Sequence, residues 1–241
     1  MPSSYAASAA WYDKLYDAKD YVGECDALLR ILREHGAVQG ALLDVACGTG
    51  RHLEHLQHQF ERCSGLDLCE ELLAAAGARC PGVAFHQGDM RSFDLGDTYD
   101  VVTCLFSAIG HMTTTDDYAA AVTCFHRHLK SGGLLVIEPW LAPDRWKEHT
   151  VHMQTVDEPE LKIARLSTSR AIVVRNGQPL SVFALNHLIA TPDGVQHIVE
   201  DFEMALYTQE QQLDLLRAAG FDAEWVSPGL TGRGLLVGRK V

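Results

Sequence analysis

No stretch of the 241 residues approaches the roughly 18 consecutive apolar residues that a membrane-spanning helix needs. The opening MPSSYAASAAWYDKLYD lacks the basic-then-apolar plan of a secretory signal, so a cytoplasmic protein without a membrane partner is expected. Cations are scarce: 20 Lys and Arg against 32 Asp and Glu leave a net charge of −12. A field of that sign repels a polyanionic backbone and argues against nucleic acid as a partner, whereas a small anion needs only a few placed cations. Seven cysteines form no C-x-x-C pair, and most lie in apolar runs such as VVTCLF, so they read as buried reduced thiols. His52, His55 and His58 recur every third residue of an expected helix, a step that drifts round the helix rather than holding i, i+4 ligands on one face. That trio reads as a solvated face, and no metal is expected. Internal repeats and linker-like segments are missing too. With 47% hydrophobic and 22% charged residues, the chain reads as one large globular domain or one domain with an insertion.

Short apolar runs alternate with helical stretches, the pattern of an α/β protein with a mainly parallel sheet. Strands are expected at 41–46, 63–68, 83–89, 99–106 and 133–140, with helices at 25–35, 51–60, 70–79 and 115–129 between or before them. From 151 to about 207 the texture changes to strand-like alternation, with turn signals at Asn176-Gly177 and Pro192-Asp193-Gly194. Helix 208–220 and strands 221–226 and 234–240 then close the chain, the last two spaced as an antiparallel hairpin. The organisation expected is a helical N-terminal cover over 1–36, a core made of 37–140 and 208–241, and a β-rich lid over 141–207.

The strongest local signal is Asp44-Val45-Ala46-Cys47-Gly48-Thr49-Gly50, placed where the first strand turns into a helix. Glycines there let the backbone approach a ligand at the carboxyl end of the sheet. A dinucleotide fingerprint starting at Gly48 would need glycine at 53, where Leu53 stands, and no G-K-[ST] follows for a P-loop. A second acidic residue, Asp67, ends the second strand about 20 residues further on, as a ribose-binding carboxylate would, and Gly88-Asp89-Met90 ends the third.

These three sites, in order at three successive strand ends, resemble the class I S-adenosylmethionine methyltransferases, whose loop reads acidic-x-G-x-G-x-G. Asp44, Gly48 and Gly50 match, and Ala46 replaces the first glycine. The resemblance implies a Rossmann-like fold with a seven-stranded, mainly parallel sheet flanked by helices. It implies S-adenosylmethionine as the cofactor, Asp67 on the ribose with Leu68 beside it, Asp89 and Met90 on the adenine, and Leu105 at the end of the fourth strand. LLDVACGTGRHLEHL, HQGDMRSF, CLFSAIGHM, HLKSGGLLVIEPW and TGRGLLVG further resemble the N,N-dimethyltransferases that finish nucleotide-linked amino sugars such as desosamine and mycaminose in macrolide pathways. The lid is the weakest part of that match. By this resemblance the cover's Tyr12 and Tyr21 face the cofactor, Tyr5 and His111 lie near the amine, Trp140 lines the acceptor pocket, and Arg233 meets the phosphates of a dTDP-linked deoxyamino sugar. A guanidinium fork suits phosphate oxygens. His111 would either accept the ammonium proton or hold the amine. Another small amine, hydroxyl or carbanion as acceptor, one methyl or two, and a homodimer all stay open. A non-catalytic binder would be expected to have lost Asp67 and Asp89, and both are present.

Overall fold

Successive residues of the central strands point into different cores, which is why these strands read as unbroken apolar runs rather than as alternation. The computed structural model describes residues 7–241. In it β1 (Ala41–Val45), β2 (Arg62–Asp67), β3 (Ala84–Gln87), β4 (Tyr99–Cys104), β5 (Leu129–Ile137), β10 (Phe221–Val226) and β11 (Leu235–Lys240) form one sheet of order β10-β11-β5-β4-β1-β2-β3. Neighbours run parallel except at β11, which pairs antiparallel with both β10 and β5, giving the expected terminal hairpin. Leu43, Val102 and Leu135 enter one core with Tyr118, Phe125 and Leu216 of helices α5 (Thr115–Arg127) and α6 (Gln209–Ala218). Leu42, Val101 and Leu134 enter the other, against Leu28, Leu32, Leu53 and Leu73 of α2 (Tyr21–Glu34), α3 (Arg51–Leu56) and α4 (Glu70–Arg79). Helix starts follow their caps: Asp20 accepts from Gly23 N, Thr114 from Asp117 N, and Thr208 with Gln211 forms a capping box.

Between β5 and α6 the chain builds a second, four-stranded sheet from β6 (Val151–Glu158), β7 (Leu161–Arg175), β8 (Gln178–Thr191) and β9 (Gly194–Ala205), an antiparallel meander. Asn176 and Gly177, both with positive φ, turn β7 into β8 as the sequence signal requires. The short helix α1 (Tyr12–Leu15) lies against this sheet. Leu15 packs with Leu161, Ile163 and Ile189, Lys14 pairs with Glu158 at 2.7 Å, and Arg165 donates to the Tyr16 hydroxyl at 2.9 Å.

Three expectations need correction. The strand expected at 133–140 begins at Leu129, because Ser131-Gly132-Gly133 is no loop: Gly132 takes a positive φ inside a bulge where Tyr99 pairs with Leu129 but Val101 with Leu134. The helix expected over 51–60 closes at Leu56, although Phe60 is buried all the same. His52 is not on a solvated face. It is buried, and its Nε2 lies 3.0 Å from Glu24 Oε2 on α2. All seven cysteines are free and buried, and among the described residues no cluster of His, Cys, Asp or Glu is arranged to hold a metal. No helix among those residues is long and apolar enough to cross a membrane.

Candidate functional site

The strand order reverses between β1 and β4, and the carboxyl ends on either side of that point open into a crevice, where sheets of this kind take their ligands. The loops around it are tied together by backbone groups: Cys47 N donates to Leu66 O at 3.0 Å and Gly88 N to Asp67 O at 2.9 Å. Asp67 is clamped harder. Its Oδ2 accepts from Gly48 N at 2.8 Å and its Oδ1 from Cys69 N at 2.9 Å, which leaves further lone pairs for a ligand on a carboxylate that lines the crevice. Asp44 is fully buried beneath the loop, accepts from the Thr103 hydroxyl at 2.7 Å, and is pushed up to about 6 by that burial.

Gly48 shows why this loop fits a cofactor. Its φ is +55°, and a Cβ built there would meet no protein atom within 4 Å, so it would project into open crevice. Gly50 does something else: its Cβ would come 3.2 Å from that of Ala76, so this glycine serves the close approach of α3 and α4 and does not line the crevice. Ala46 also sits at positive φ, 59°.

One cavity of about 1180 Å³ runs from this loop to the four-stranded sheet. Typical small-molecule pockets span roughly 300–1,000 Å³, so two ligands fit together. Of the residues singled out in the sequence, Tyr12, Ala46, Gly48, Asp67, Leu68, Asp89, Met90, Leu105, His111, Trp140 and Arg233 line it. Tyr21 and Asp44 line a smaller adjoining recess with Tyr12, Ala46, Gly48 and Leu105. Tyr5 lies outside the described residues. Asp89 is engaged by Arg91, whose Nε reaches its two oxygens at 2.9 and 3.1 Å, and this guanidinium holds the carboxyl below its usual range.

Beyond the loop, Ala108–His111 form a short 3-10 turn after β4 that carries His111 onto the wall. Burial lowers this imidazole to about 4. His111 lies 6.2 Å from the ring of Phe202, Phe202 stacks on Phe183 at 5.1 Å, and Phe183 on Trp140 at 5.9 Å. Trp140 donates through Nε1 to Ser181 Oγ at 3.1 Å, and the Arg233 guanidinium covers its ring at 5.1 Å. Arg233 also donates to Ser107 Oγ at 2.5 Å.

Several lining residues have no motif to announce them. Phe106 and Tyr16 meet edge to face at 5.1 Å beside the cofactor loop. Arg165 lies over the Tyr16 ring, and Arg145, Trp146 and Lys147 line the cavity as well. Strand alternation in the lid could have put Phe183 and Leu185 on one face, but nothing local says which face turns toward the crevice. Charged residues of both signs line the cavity: Asp67, Asp89, Asp117 and Glu203 are acidic, and Arg91, Arg145, Lys147, Arg165 and Arg233 are basic. Arg91 pairs with Asp89 and Asp117, whereas the other four make no ion pair among the described residues.

A glycine-rich turn at a switch point, a clamped carboxylate ending β2 and an acidic residue after β3 define an S-adenosylmethionine-dependent methyltransferase. Residues 42–133 match the family model described as a methyltransferase domain. The chain is 37% identical, over 95% of its own length and 89% of the relative, to the dTDP-3-amino-3,6-dideoxy-alpha-D-glucopyranose N,N-dimethyltransferase of Streptomyces fradiae. It superposes on the crystal structure of Streptomyces venezuelae DesVI with a TM-score of 0.85 and 34% identity, covering 98% of both chains. Against SAM-bound CalS10, an amino pentose methyltransferase from Micromonospora echinaspora involved in calicheamicin biosynthesis, the TM-score is 0.83 at 35% identity, with coverage of 98% and 97%. The chain belongs to the family of S-adenosylmethionine-dependent sugar N,N-dimethyltransferases, and it is an N-methyltransferase with that cofactor.

Proposed function

We propose that the protein methylates the amino group of a dTDP-linked deoxyamino sugar. The observation that carries this reading is a set of unneutralised cations in one cavity: in a chain of net charge −12, Arg145, Lys147, Arg165 and Arg233 line it and make no ion pair among the described residues. A nucleoside diphosphate is the anion that such a lining would draw in. Arg233, stacked on Trp140, is assigned to its phosphates, and Trp140 to the sugar face. The names of the relatives, which describe dTDP-amino-sugar dimethylation, agree with this acceptor.

S-adenosylmethionine supplies a methyl group already activated by its sulfonium. Asp67 would hold the ribose hydroxyls, Asp89 the adenine amino group in place of one of the contacts that Arg91 makes to it, and Met90 the ring through its backbone amide. Gly48 and Ala46 let the loop approach, Asp44 supports it from below, and Leu68 and Leu105 supply apolar walls. Tyr12 and Tyr21 close that end from the cover, residues 1–36, and the sheet within 141–207 closes the acceptor end. Excluding water and aligning the amine are what these walls contribute, and alignment accounts for most of such a rate. His111 is proposed to orient the amine by accepting a hydrogen bond. An imidazole near 4 facing an ammonium near 8 would lift a proton over about 5 kcal/mol, which argues against an obligate base.

The test is a panel of dTDP-linked amino sugars incubated with the cofactor and read by mass spectrometry. A gain of one or two methyl groups on at least one is expected. No gain on any of them, with transfer to another amine, hydroxyl or carbanion, would refute the acceptor while leaving the reaction class. We propose also a homodimer through the outer face of the four-stranded sheet, where Val151, Met153, Leu166, Leu188 and Val199 are exposed. Light scattering that gives a monomer mass at micromolar concentration would refute it.

A further inference from the structure

Glu138 touches neither cavity, yet it is wholly buried directly after β5, and both of its carboxylate oxygens are in use. Its Oε2 accepts from Phe106 N at 2.7 Å, and its Oε1 accepts from the Thr231 hydroxyl. These two donors belong to different loops. Phe106 and Ser107 follow β4 as consecutive left-handed residues, φ 52° and 63°, although neither is glycine. Such a pair is strained and persists only where surrounding structure holds it. Phe106 lines both the cofactor recess and the long cavity, and Ser107 caps the turn that carries His111. Thr231 belongs to the loop that carries Arg233, and Arg233 returns to Ser107 Oγ, whose own proton goes to Pro139 O at 2.8 Å.

We infer that Glu138 is a positioning residue whose carboxylate couples the cofactor wall at Phe106 to the acceptor loop at Thr231 and Arg233. A carboxylate suits this place because it accepts at two oxygens and donates at neither, and its rigid plane fixes one donor relative to the other. Ordering the Arg233 loop by a bound anion then also orders Phe106, and the reverse holds by linkage. The inference rests on the acceptor reading above for its probe, thymidine diphosphate.

The experiment measures the dissociation constant of S-adenosylhomocysteine with and without saturating thymidine diphosphate, by calorimetry, for wild type, Thr231→Val, Glu138→Gln and Glu138→Ala. Wild type is expected to bind the first ligand about fivefold or more tighter in the presence of the second. Thr231→Val cuts one arm with little change of shape, so each ligand should still bind while the coupling factor falls toward one. Glu138→Gln should keep most of the coupling, because the amide oxygen still accepts from Phe106 and its N–H can donate to the Thr231 oxygen once that hydroxyl turns. Glu138→Ala should weaken both ligands; if that variant does not fold, Thr231→Val alone decides. Equal coupling in Thr231→Val and wild type overturns the inference, and so does binding of both ligands to wild type without coupling. If wild type fails to bind thymidine diphosphate at all, the acceptor reading falls first and takes the acceptor arm of this inference with it.

Discussion

Ala46 stands where the family's loop has glycine, and the structure puts it at a φ of 59°, a conformation that costs an L-residue about 1–2 kcal/mol. Ala46→Gly removes that strain. It also gives the unfolded chain more freedom, which offsets about 0.4–1 kcal/mol. The net expectation is a gain of roughly 0.5–1 kcal/mol, and for a chain of this length a rise in Tm of about 2 °C. Gly48, two residues on at a φ of 55°, is the mirror experiment. Gly48→Ala adds the strain and loses about the same amount, and its new Cβ projects into the crevice, where overpacking against a ligand costs at least about tenfold in affinity. Urea titrations with an unchanged slope would give the stabilities, and calorimetry with S-adenosylhomocysteine the affinities. Ala46→Gly should bind within about threefold of wild type, since 1 kcal/mol corresponds to less than a decade. A destabilised Ala46→Gly, or shifts of the same sign in both variants, would refute the assignment of strain to this loop.

Desolvation lowers His111 to about 4, below its unfolded value near 6.5, so between those values the native state binds fewer protons and stability falls as pH drops through that window. His111→Gln should flatten that part of the stability curve, and should keep more activity than His111→Ala if orientation is the role. Asp44 shifts the other way, to about 6, so its charged form destabilises the fold as pH rises from about 4 to 6. Asp44→Asn should therefore gain stability on the order of 3 kcal/mol at pH 7 and nothing below pH 4, with weaker cofactor binding in the same calorimetric assay. Arg233→Met keeps a stem against Trp140 but loses the fork, and should raise the KM of the sugar nucleotide about tenfold or more while flattening its salt dependence. An unchanged KM would remove Arg233 from the acceptor site.

The cofactor end was legible in the sequence because its chemistry is local. Asp67 and Asp89 stand at strand ends, and a strand end in a parallel sheet points at the crevice wherever else the chain goes. His52 shows where locality fails. Its spacing on the helix points it at solvent, but Glu24, 28 positions earlier on α2, comes within 3.0 Å and turns an expected solvated residue into half of a buried pair. Gly50 needs more than the loop to account for it: it takes a φ of 76°, and its Cβ would also meet Ala76 on the next helix. At the acceptor end, Arg145, Lys147 and Arg165 come from the lid, whose alternation defines two faces without saying which meets the cavity.

A net charge of −12 disfavours an anionic substrate in general, and what counters it is where the unpaired cations sit rather than how many there are. Most of the cations are paired with carboxylates: Arg62 with Asp97, Arg79 with Asp13, and, within the cavity itself, Arg91 with Asp89 and Asp117. Arg145, Lys147, Arg165 and Arg233 line the cavity, and three of them are held by neutral acceptors: Arg145 donates to Gly232 O, Arg165 to Tyr16 and Gln154, and Arg233 to Ser107. A cation held by neutral acceptors keeps its charge for a ligand, whereas one held by a carboxylate has already been neutralised. The acidic remainder of the surface then sharpens selection, because an anion is repelled by the net field and attracted by these cations, and an amine without a phosphate forgoes that attraction. This argues that the nucleotide acts as the handle by which the acceptor is chosen, and that amino sugars stripped of it should be poor substrates.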